Sequence, residues 1–339
     1  MSEIGIGIIG FGFMGRTHLE AYLRASESGI SCGVREVFSL DDPSSASGGN
    51  VDTGASTGLD LLASEIRFSK EVDTLLACDD IDLVSICTPT DTHVDLAIKA
   101  LEAGKHVLLE KPVALSCSEV ERLQQAHDGS GLLCMPAMCM RFWPGWSWLR
   151  ATVQDGSLGA VTSASFQRIG ASPTWSQDFY LDEQRSGGAL TDLHVHDADF
   201  IVATFGMPAE VSTCGTRSQL VTQYRYPDGP ATVMAEAAWY PDPGYPFQVR
   251  YHVGFEDSVA DFDLSREQAP LILYRGGEAQ EISIPDINGY EAEVRHILQS
   301  VQRNESSIQP DLAEAVRVTR LLEAEARSLD EGRSISLSP

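Results

Sequence analysis

The sequence contains an amine, a carboxylate and an imidazole at positions that favour proton transfer. Residues 106–110 predict a strand, so Lys111 lies at its carboxyl end, where open α/β sheets bind their ligands. Asp192 and His196 are four residues apart in a predicted helix over 189–204 and project from one face of it. Such a pair can hold a hydroxyl group and carry its proton. The alternative is a solvated lysine and two structural hydrogen-bonding groups.

A glycine-rich motif at the start of the chain predicts a dinucleotide-binding site. Residues 3–10 predict a strand, and the stretch after the glycines, up to about residue 26, has helical spacing. The first glycine of a GxGxxG motif allows a tight turn, the second lets the backbone approach a pyrophosphate, and the third permits close helix–strand packing. Because strand and helix flank the motif, we predict that it binds the cofactor; the alternative is a glycine-rich turn without a ligand. Its residues are Gly10, Phe11, Gly12, Phe13, Met14 and Gly15.

Two carboxylates after the second predicted strand bear on the choice of cofactor. Asp41 and Asp42 follow residues 37–40, where a carboxylate can hold the adenosine ribose of a dinucleotide. A carboxylate at this place repels a 2′-phosphate, so the two residues favour NAD. NADP is the alternative, because Arg35 or a residue of the following insertion can accommodate a phosphate. Asp41 and Asp42 can also be read as the start of a turn before Pro43.

The elements that must position these residues fall into two parts. Up to residue 138, short apolar strands alternate with helices, which is typical of a doubly wound parallel sheet. Residues 43–58, rich in Ser, Gly and Thr, interrupt this pattern as a surface insertion. Beyond residue 138, strand-like segments follow one another without helices between them. We therefore predict an α/β protein with a Rossmann domain at 1–138 and an α+β domain with an open, mostly antiparallel sheet at 139–339.

The composition excludes several other classes of protein. The 24 Lys and Arg residues against 49 Asp and Glu give a net charge of −25, and such a surface repels nucleic acid and anionic lipid. No window reaches the roughly 18 apolar residues of a membrane span, and the acidic start is unlike a signal peptide. The seven cysteines form no CxxC pair, and the HxH at 194–196 has no evident third ligand. We predict a cytoplasmic protein with no metal site that binds neither nucleic acid nor membrane.

Four ordered motifs resemble the Gfo/Idh/MocA oxidoreductases over nearly the whole chain. They are GFGFMG at 10–15, CTPTDTH at 87–93, AGKHVLLEKP at 103–112 and GGALTDLHVHDAD at 187–199. Four motifs in this order are far more specific than any one of them. The sequence departs from the family at His194, where a glycine is common, and in the insertion at 43–58.

The resemblance implies an enzyme that transfers a hydride between nicotinamide and a secondary hydroxyl or ketone of a sugar, inositol or related polyol. It assigns the EKP lysine role to Lys111 and the DxxxH pair to Asp192 and His196. Within this catalytic set we expect His196 to accept the proton and Lys111 to orient the oxygen. The three groups must then converge on one carbon beside the nicotinamide. The resemblance also implies a homodimer or homotetramer, and further cofactor contacts from Thr88, Pro89, Thr90, His93, Glu110 and Lys111.

Further residues are candidates for the substrate site. Aromatic rings can stack on sugar faces and arginine can bind hydroxyls or a carboxylate, although packing is the commoner role of such residues. The candidates are Arg141, Trp143, Trp175, Asp178 and His194.

Two other functions stay open on the sequence alone. One is a lyase or glycosidase that oxidises its substrate transiently, without net redox. The other is a non-catalytic regulator that binds sugar or cofactor. The presence of Lys111, Asp192 and His196 together argues against the regulator, because binding alone does not require groups that transfer protons.

Overall fold

A computed structural model describes residues 3–40, 66–180 and 182–337, apart from the side chains of Gln177 and Asp178. The chain forms two compact units. The first comprises Met1–Cys139 and Asn288–Val316, and the second comprises Met140–Ile287 and Arg317–Pro339. Asp41, Asp42 and the insertion at 43–58 lie outside the described residues.

The elements of the described ranges are numbered in chain order. The strands are β1 (Ile4–Ile9), β2 (Cys32–Phe38), β3 (Arg67–Ser69), β4 (Leu83–Ile86), β5 (His106–Leu109), β6 (Cys134–Pro136), β7 (Val161–Ala171), β8 (Glu210–Thr216), β9 (Gln219–Arg225), β10 (Thr232–Tyr240), β11 (Gln248–Phe255), β12 (Ser258–Asp263), β13 (Leu271–Arg275), β14 (Glu278–Glu281) and β15 (Ile335–Ser336). The helices are α1 (Phe13–Glu27), α2 (Val72–Leu76), α3 (His93–Glu102), α4 (Cys117–His127), α5 (Pro144–Asp155), α6 (Gln177–Tyr180), α7 (Glu183–Ser186), α8 (Gly188–Asp192), α9 (Val195–Phe205), α10 (Gly289–Gln302) and α11 (Leu312–Glu331).

The first unit is built on a six-stranded sheet in the order β3-β2-β1-β4-β5-β6. All of its strand pairs are parallel. This is the strand order of the Rossmann fold, and its direction reverses between β1 and β4. Every residue of β1 is buried, as expected of a central parallel strand with both faces covered. The prediction of a doubly wound parallel sheet is therefore confirmed.

Helices on the sheet faces complete the core of this unit. Apolar side chains of β4 and β5 pack with the inner faces of α3 and α4, and the start of α11 joins them through Leu312, Ala315 and Val316. Helix α10 packs against α1. Residues 288–316 thus belong to the first compact unit, whereas the predicted division placed everything after residue 138 in the second domain.

The second unit contains a nine-stranded sheet in the order β14-β13-β12-β11-β7-β10-β9-β8-β15. Only β7 and β10 run parallel among the described pairs; the others are antiparallel. Trp146 of α5 is fully buried and packs its ring against aromatic rings of the sheet and of α9, the nearest being Phe200 at 4.8 Å between centroids. The predicted open, mostly antiparallel sheet is confirmed. In β9, buried and exposed residues alternate, as expected of a strand with one face on the core.

The predicted single helix over 189–204 is wrong, because the chain forms α8 and α9 with Leu193 and His194 between them. The amide of His194 donates to the carbonyl of Ala189, five residues earlier, at 2.8 Å. This wide turn interrupts the regular helical bonding, and such turns are frequent at functional sites. Asp192 ends α8, and His196 lies in the first turn of α9.

No helix in the described ranges is both long and apolar enough to cross a membrane.

Candidate functional site

The glycine motif forms an open cradle between β1 and α1. Gly10 has a φ of +93°, which favours glycine. A Cβ on Gly15 would lie 2.0 Å from the Gly10 carbonyl oxygen, so this glycine permits close packing. Among the described residues, no atom lies within 4 Å of a Cβ placed on Gly12, which is the N-cap residue of α1. The open position at a helix N-terminus fits a pyrophosphate.

Replacing the two glycines separately should distinguish the cradle from a structural turn. We expect Gly12→Ala to weaken NADH binding by about tenfold or more with little change in melting temperature, since its Cβ has space but stands where the phosphates approach. Gly15→Ala should instead destabilise the fold by about 1–3 kcal/mol, because its Cβ must displace backbone. NADH fluorescence titration and thermal melts of both variants check this. Equal effects of both variants on stability would contradict the assignment of Gly12.

The loop after β4 is fixed to the segment after β5 by a buried histidine. The ring nitrogens of His93 lie 2.9 Å from the Pro112 carbonyl oxygen and 2.8 Å from that of Thr88. Burial lowers the pKa of His93, although both carbonyl oxygens favour its charged form. Thr92 donates to Thr88 Oγ1 at 2.7 Å, and Thr90 is buried. His93 thus holds the backbone of Thr88 in place. Direct contact with a cofactor stays a prediction for every residue of this loop that was named as a cofactor contact.

Glu110 and Lys111 follow β5 at the edge of the sheet where β1 also ends. The Glu110 carboxylate is buried and lies 3.0 Å from His18 of α1, and its other oxygen accepts the Lys111 amide at 3.1 Å. The Glu110 side chain therefore turns into the unit, and direct contact of Glu110 with a cofactor stays a prediction. The Lys111 side chain is half-buried. Lys111 thus has a fixed backbone at the ligand-binding edge of the sheet.

In the second unit, the segment 187–199 contains both buried and partly exposed polar groups. Asp197 is buried and accepts two hydrogen bonds from Arg168, at 3.0 and 3.1 Å. Asp199 is buried and accepts two from Arg141. Asp192 is half-buried, and so is His196. Of the ionisable groups in this segment, the last two are the ones that reach the surface of the unit.

His194 lies inside the second unit. Its side chain is fully buried, with Nε2 2.9 Å from the Tyr224 hydroxyl and 2.9 Å from Glu325 of α11. These contacts join the start of α9 to the sheet and to α11. The structure therefore favours a structural role for His194, in place of the predicted substrate contact, because no face of its ring is open to a ligand.

Because His194 is buried beside Glu325, we expect the stability of the fold to depend on pH. Burial alone lowers the pKa of His194, but Glu325 and the charge of Asp197 outweigh burial and the opposing charge of Arg168, so the pKa is raised. A histidine whose pKa is higher in the folded state than in the unfolded state stabilises the fold when it is protonated. This stabilisation is complete below the unfolded-state pKa of about 6.5 and is lost as the pH rises through the folded-state pKa. The difference in unfolding free energy between the wild type and Glu325→Gln should therefore shrink from about pH 6 to pH 9. Urea unfolding at both pH values measures it; a constant difference would contradict the charge assignment.

The remaining substrate candidates are in different surroundings. Arg141 is buried, and its guanidinium binds the Asp199 carboxylate with a shortest distance of 2.6 Å. This contact indicates a structural ion pair in place of the predicted substrate contact. Trp143 is half-buried at the start of α5. The half-buried Trp175 packs edge-on against Tyr180, with ring centroids 5.8 Å apart. The side chain of Asp178 lies outside the described residues.

Trp175 belongs to a group of aromatic rings that packs against helix α8. Tyr180 packs in turn on Trp239, and both contact the apolar cluster of Ala189 and Leu190 on α8. Helix α8 ends at Asp192. Tyr180 and Trp239 were not predicted as neighbours, because helix α6 and strand β10, which bring them together, are about 60 residues apart in the chain.

Comparison with known proteins gives two family matches. Residues 4–138 match the oxidoreductase family with an NAD-binding Rossmann fold, GFO_IDH_MocA, and residues 146–258 match the GFO/IDH/MocA C-terminal domain. Together the two matches cover well over half of the chain.

Similar proteins and structures agree with these matches. An NAD⁺-dependent scyllo-inositol 2-dehydrogenase of Bacillus subtilis (strain 168) is 27% identical over 73% of this chain and 75% of its own length. A 2,7-anhydro-N-acetylneuraminate hydratase of Mediterraneibacter gnavus is 30% identical over 63% of this chain, but this chain matches only 53% of that protein. The structure of levoglucosan dehydrogenase in complex with NADH and levoglucosan aligns over 99% of this chain and 100% of its own, with a TM-score of 0.83 and 18% identity. The chain belongs to the Gfo/Idh/MocA family of oxidoreductases, with an NAD-binding Rossmann domain.

Proposed function

We propose that this protein is an NAD-dependent dehydrogenase that acts on a secondary hydroxyl of a sugar, cyclitol or related polyol. The observation that carries the proposal is the meeting of the open glycine cradle and Lys111 at one edge of the parallel sheet. Support comes from the NAD-dependent inositol dehydrogenase relative and from the family's NAD-binding domain.

The residues of the chain supply binding, orientation and proton transfer. The cradle and the amino end of α1 bind the pyrophosphate through backbone amides. Bound NAD supplies the hydride acceptor. Lys111 would orient and polarise the substrate oxygen, Asp192 would bind a hydroxyl of the substrate, and His196 would accept the proton of the reacting hydroxyl. The convergence of these three side chains on one carbon stays a prediction.

A second function is favoured by one observation. The relative from M. gnavus is named as a hydratase, so its overall reaction adds or removes water without net redox. The same cradle and proton-transferring residues can serve a reaction in which a hydride is taken up and returned within one cycle. The dehydrogenase and the non-redox reaction are therefore distinguished by whether NADH accumulates.

One experiment separates the candidates. Purified protein is analysed for bound nucleotide by native mass spectrometry and then incubated with NAD or NADP and a panel of inositols, anhydrosugars and aldopyranoses. NADH absorbance with a ketone product supports the dehydrogenase. A changed sugar without NADH supports the non-redox reaction. Cofactor binding without any product favours the non-catalytic regulator and contradicts the proposal.

The proposal also covers the cellular location and the oligomeric state of the protein. We infer a cytoplasmic homodimer or homotetramer. Support comes from a cofactor that is abundant in the cytoplasm and from exposed apolar side chains on the nine-stranded sheet, namely Met234, Val259 and Tyr274. Sedimentation analysis of the purified protein tests the assembly.

A further inference from the structure

Three buried ionisable side chains of the first unit come together beside the backbone of Lys111. They are His18 on α1, Glu110 after β5 and Glu293 on α10, and one ligand atom of each lies within 4.8 Å of the others. None of the three is more than 4% exposed. We call this group the His18 cluster.

Two members of the His18 cluster are oriented by further hydrogen bonds. The His18 Nε2 atom lies 3.0 Å from Glu110 Oε1, and its Nδ1 atom lies 3.1 Å from the Ser85 hydroxyl, which is 2.7 Å from the Tyr22 hydroxyl. The second Glu110 oxygen accepts the Lys111 amide. Outer partners of this kind hold the ligands of protein metal sites in position.

Glu293, the third member of the His18 cluster, gives the main indication of a bound cation. Both carboxylate oxygens of Glu293 lack a hydrogen-bond partner within the described ranges, and the side chain is completely buried. Two carboxylates beside one imidazole are costly in a protein interior unless positive charge compensates them. A proton on Glu293 would remove its charge but would still leave the other oxygen of the carboxyl group without a hydrogen-bond donor among the described residues. A cation among the three ligand atoms provides both the charge and the missing contact.

We propose that His18, Glu110 and Glu293 form a buried structural site for one divalent transition-metal ion of the zinc type. One imidazole nitrogen with two carboxylate oxygens suits zinc, since the nitrogen disfavours magnesium and calcium. The ion joins α1, α10 and the end of β5, and through Glu110 it fixes the backbone of Lys111. This departs from the sequence-based expectation of no metal site. His18 and Glu110 are 92 residues apart, so no local spacing indicates the site.

The first test measures metal directly. Tag-free protein produced with added zinc is freed of loose metal by gel filtration and analysed by mass spectrometry of its metal content. We expect about one zinc ion per chain in the wild type and in the exposed control Glu102→Gln, and a loss of about tenfold or more in Glu293→Gln. Zinc should also raise the melting temperature of the metal-stripped wild type. A metal-free wild type whose melting temperature does not respond to zinc overturns the proposal.

A second variant keeps the proposal testable should Glu293→Gln fold poorly. Replacing Glu293 with Leu removes the carboxylate and fills a similar volume. If the cluster holds only a proton and a buried water, Glu293→Leu should melt at the same or a higher temperature than the wild type, and this result overturns the proposal. If an ion is bound, the variant should melt lower. Co²⁺ added to the stripped wild type should give visible absorption bands of bound cobalt that are absent in Glu293→Leu.

Discussion

Replacing Lys111 with Met should reduce kcat by about 10²–10⁴-fold, because the substrate oxygen loses the cationic group that orients and polarises it as its proton departs. NADH affinity should stay within about threefold, since the amides of the glycine cradle bind the pyrophosphate without this side chain. Steady-state kinetics on the substrate found with the panel, together with NADH fluorescence titration, measure the two quantities separately.

A matched lysine controls for the loss of positive charge. Lys99 on α3 is exposed and lies 3.7 Å from Asp73. Lys99→Met should therefore leave both kcat and NADH affinity unchanged. If Lys111→Met retains a rate within about threefold of the wild type, the lysine has no part in the chemical step. If it loses NADH binding in parallel with rate, Lys111 serves the cofactor and not the substrate.

Replacing Asp197 with Ala should destabilise the second unit by about 3–5 kcal/mol, because Arg168 is left as an uncompensated charge in the interior. The Asp197 side chain is 0% exposed and that of Arg168 is 4% exposed. The guanidinium also lies 5.5 Å from the ring of the buried Trp146, so tryptophan fluorescence reports on this region. Urea unfolding followed by fluorescence measures the change.

An exposed ion pair of the same unit provides the comparison. Arg275 and Asp257 are 2.9 Å apart, with 53% and 57% of their side chains exposed. Asp257→Ala should change stability by less than about 1 kcal/mol, since water screens the pair. The double variant Asp197→Ala with Arg168→Met should recover part of the loss, because it removes the unpaired charge. A small effect of Asp197→Ala, equal to that of the exposed pair, would show that this ion pair does not stabilise the fold.

Much of the architecture could be predicted because it depends on neighbouring residues. The predicted strand at 3–10 and the helix after the glycines correspond to β1 and α1, since a buried apolar run, a glycine turn and helical spacing are all local signals. The alternation of strands and helices up to residue 138 was enough for the parallel sheet. The split between α8 and α9 could not be predicted, because the wide turn at His194 depends on contacts with Tyr224 and Glu325.

The sequence by itself determined the Rossmann sheet, the glycine cradle, the mixed second sheet and the position of Lys111 at a strand end. Only the tertiary structure decided which polar residues of 187–199 are partly exposed and which are enclosed as ion pairs, and it alone turned Glu110 inward to His18. The reason is physical. A hydrophobic period is repeated within a few residues, whereas the partner that satisfies a buried charge can come from anywhere in the chain, as Arg141 does for Asp199 across 58 residues.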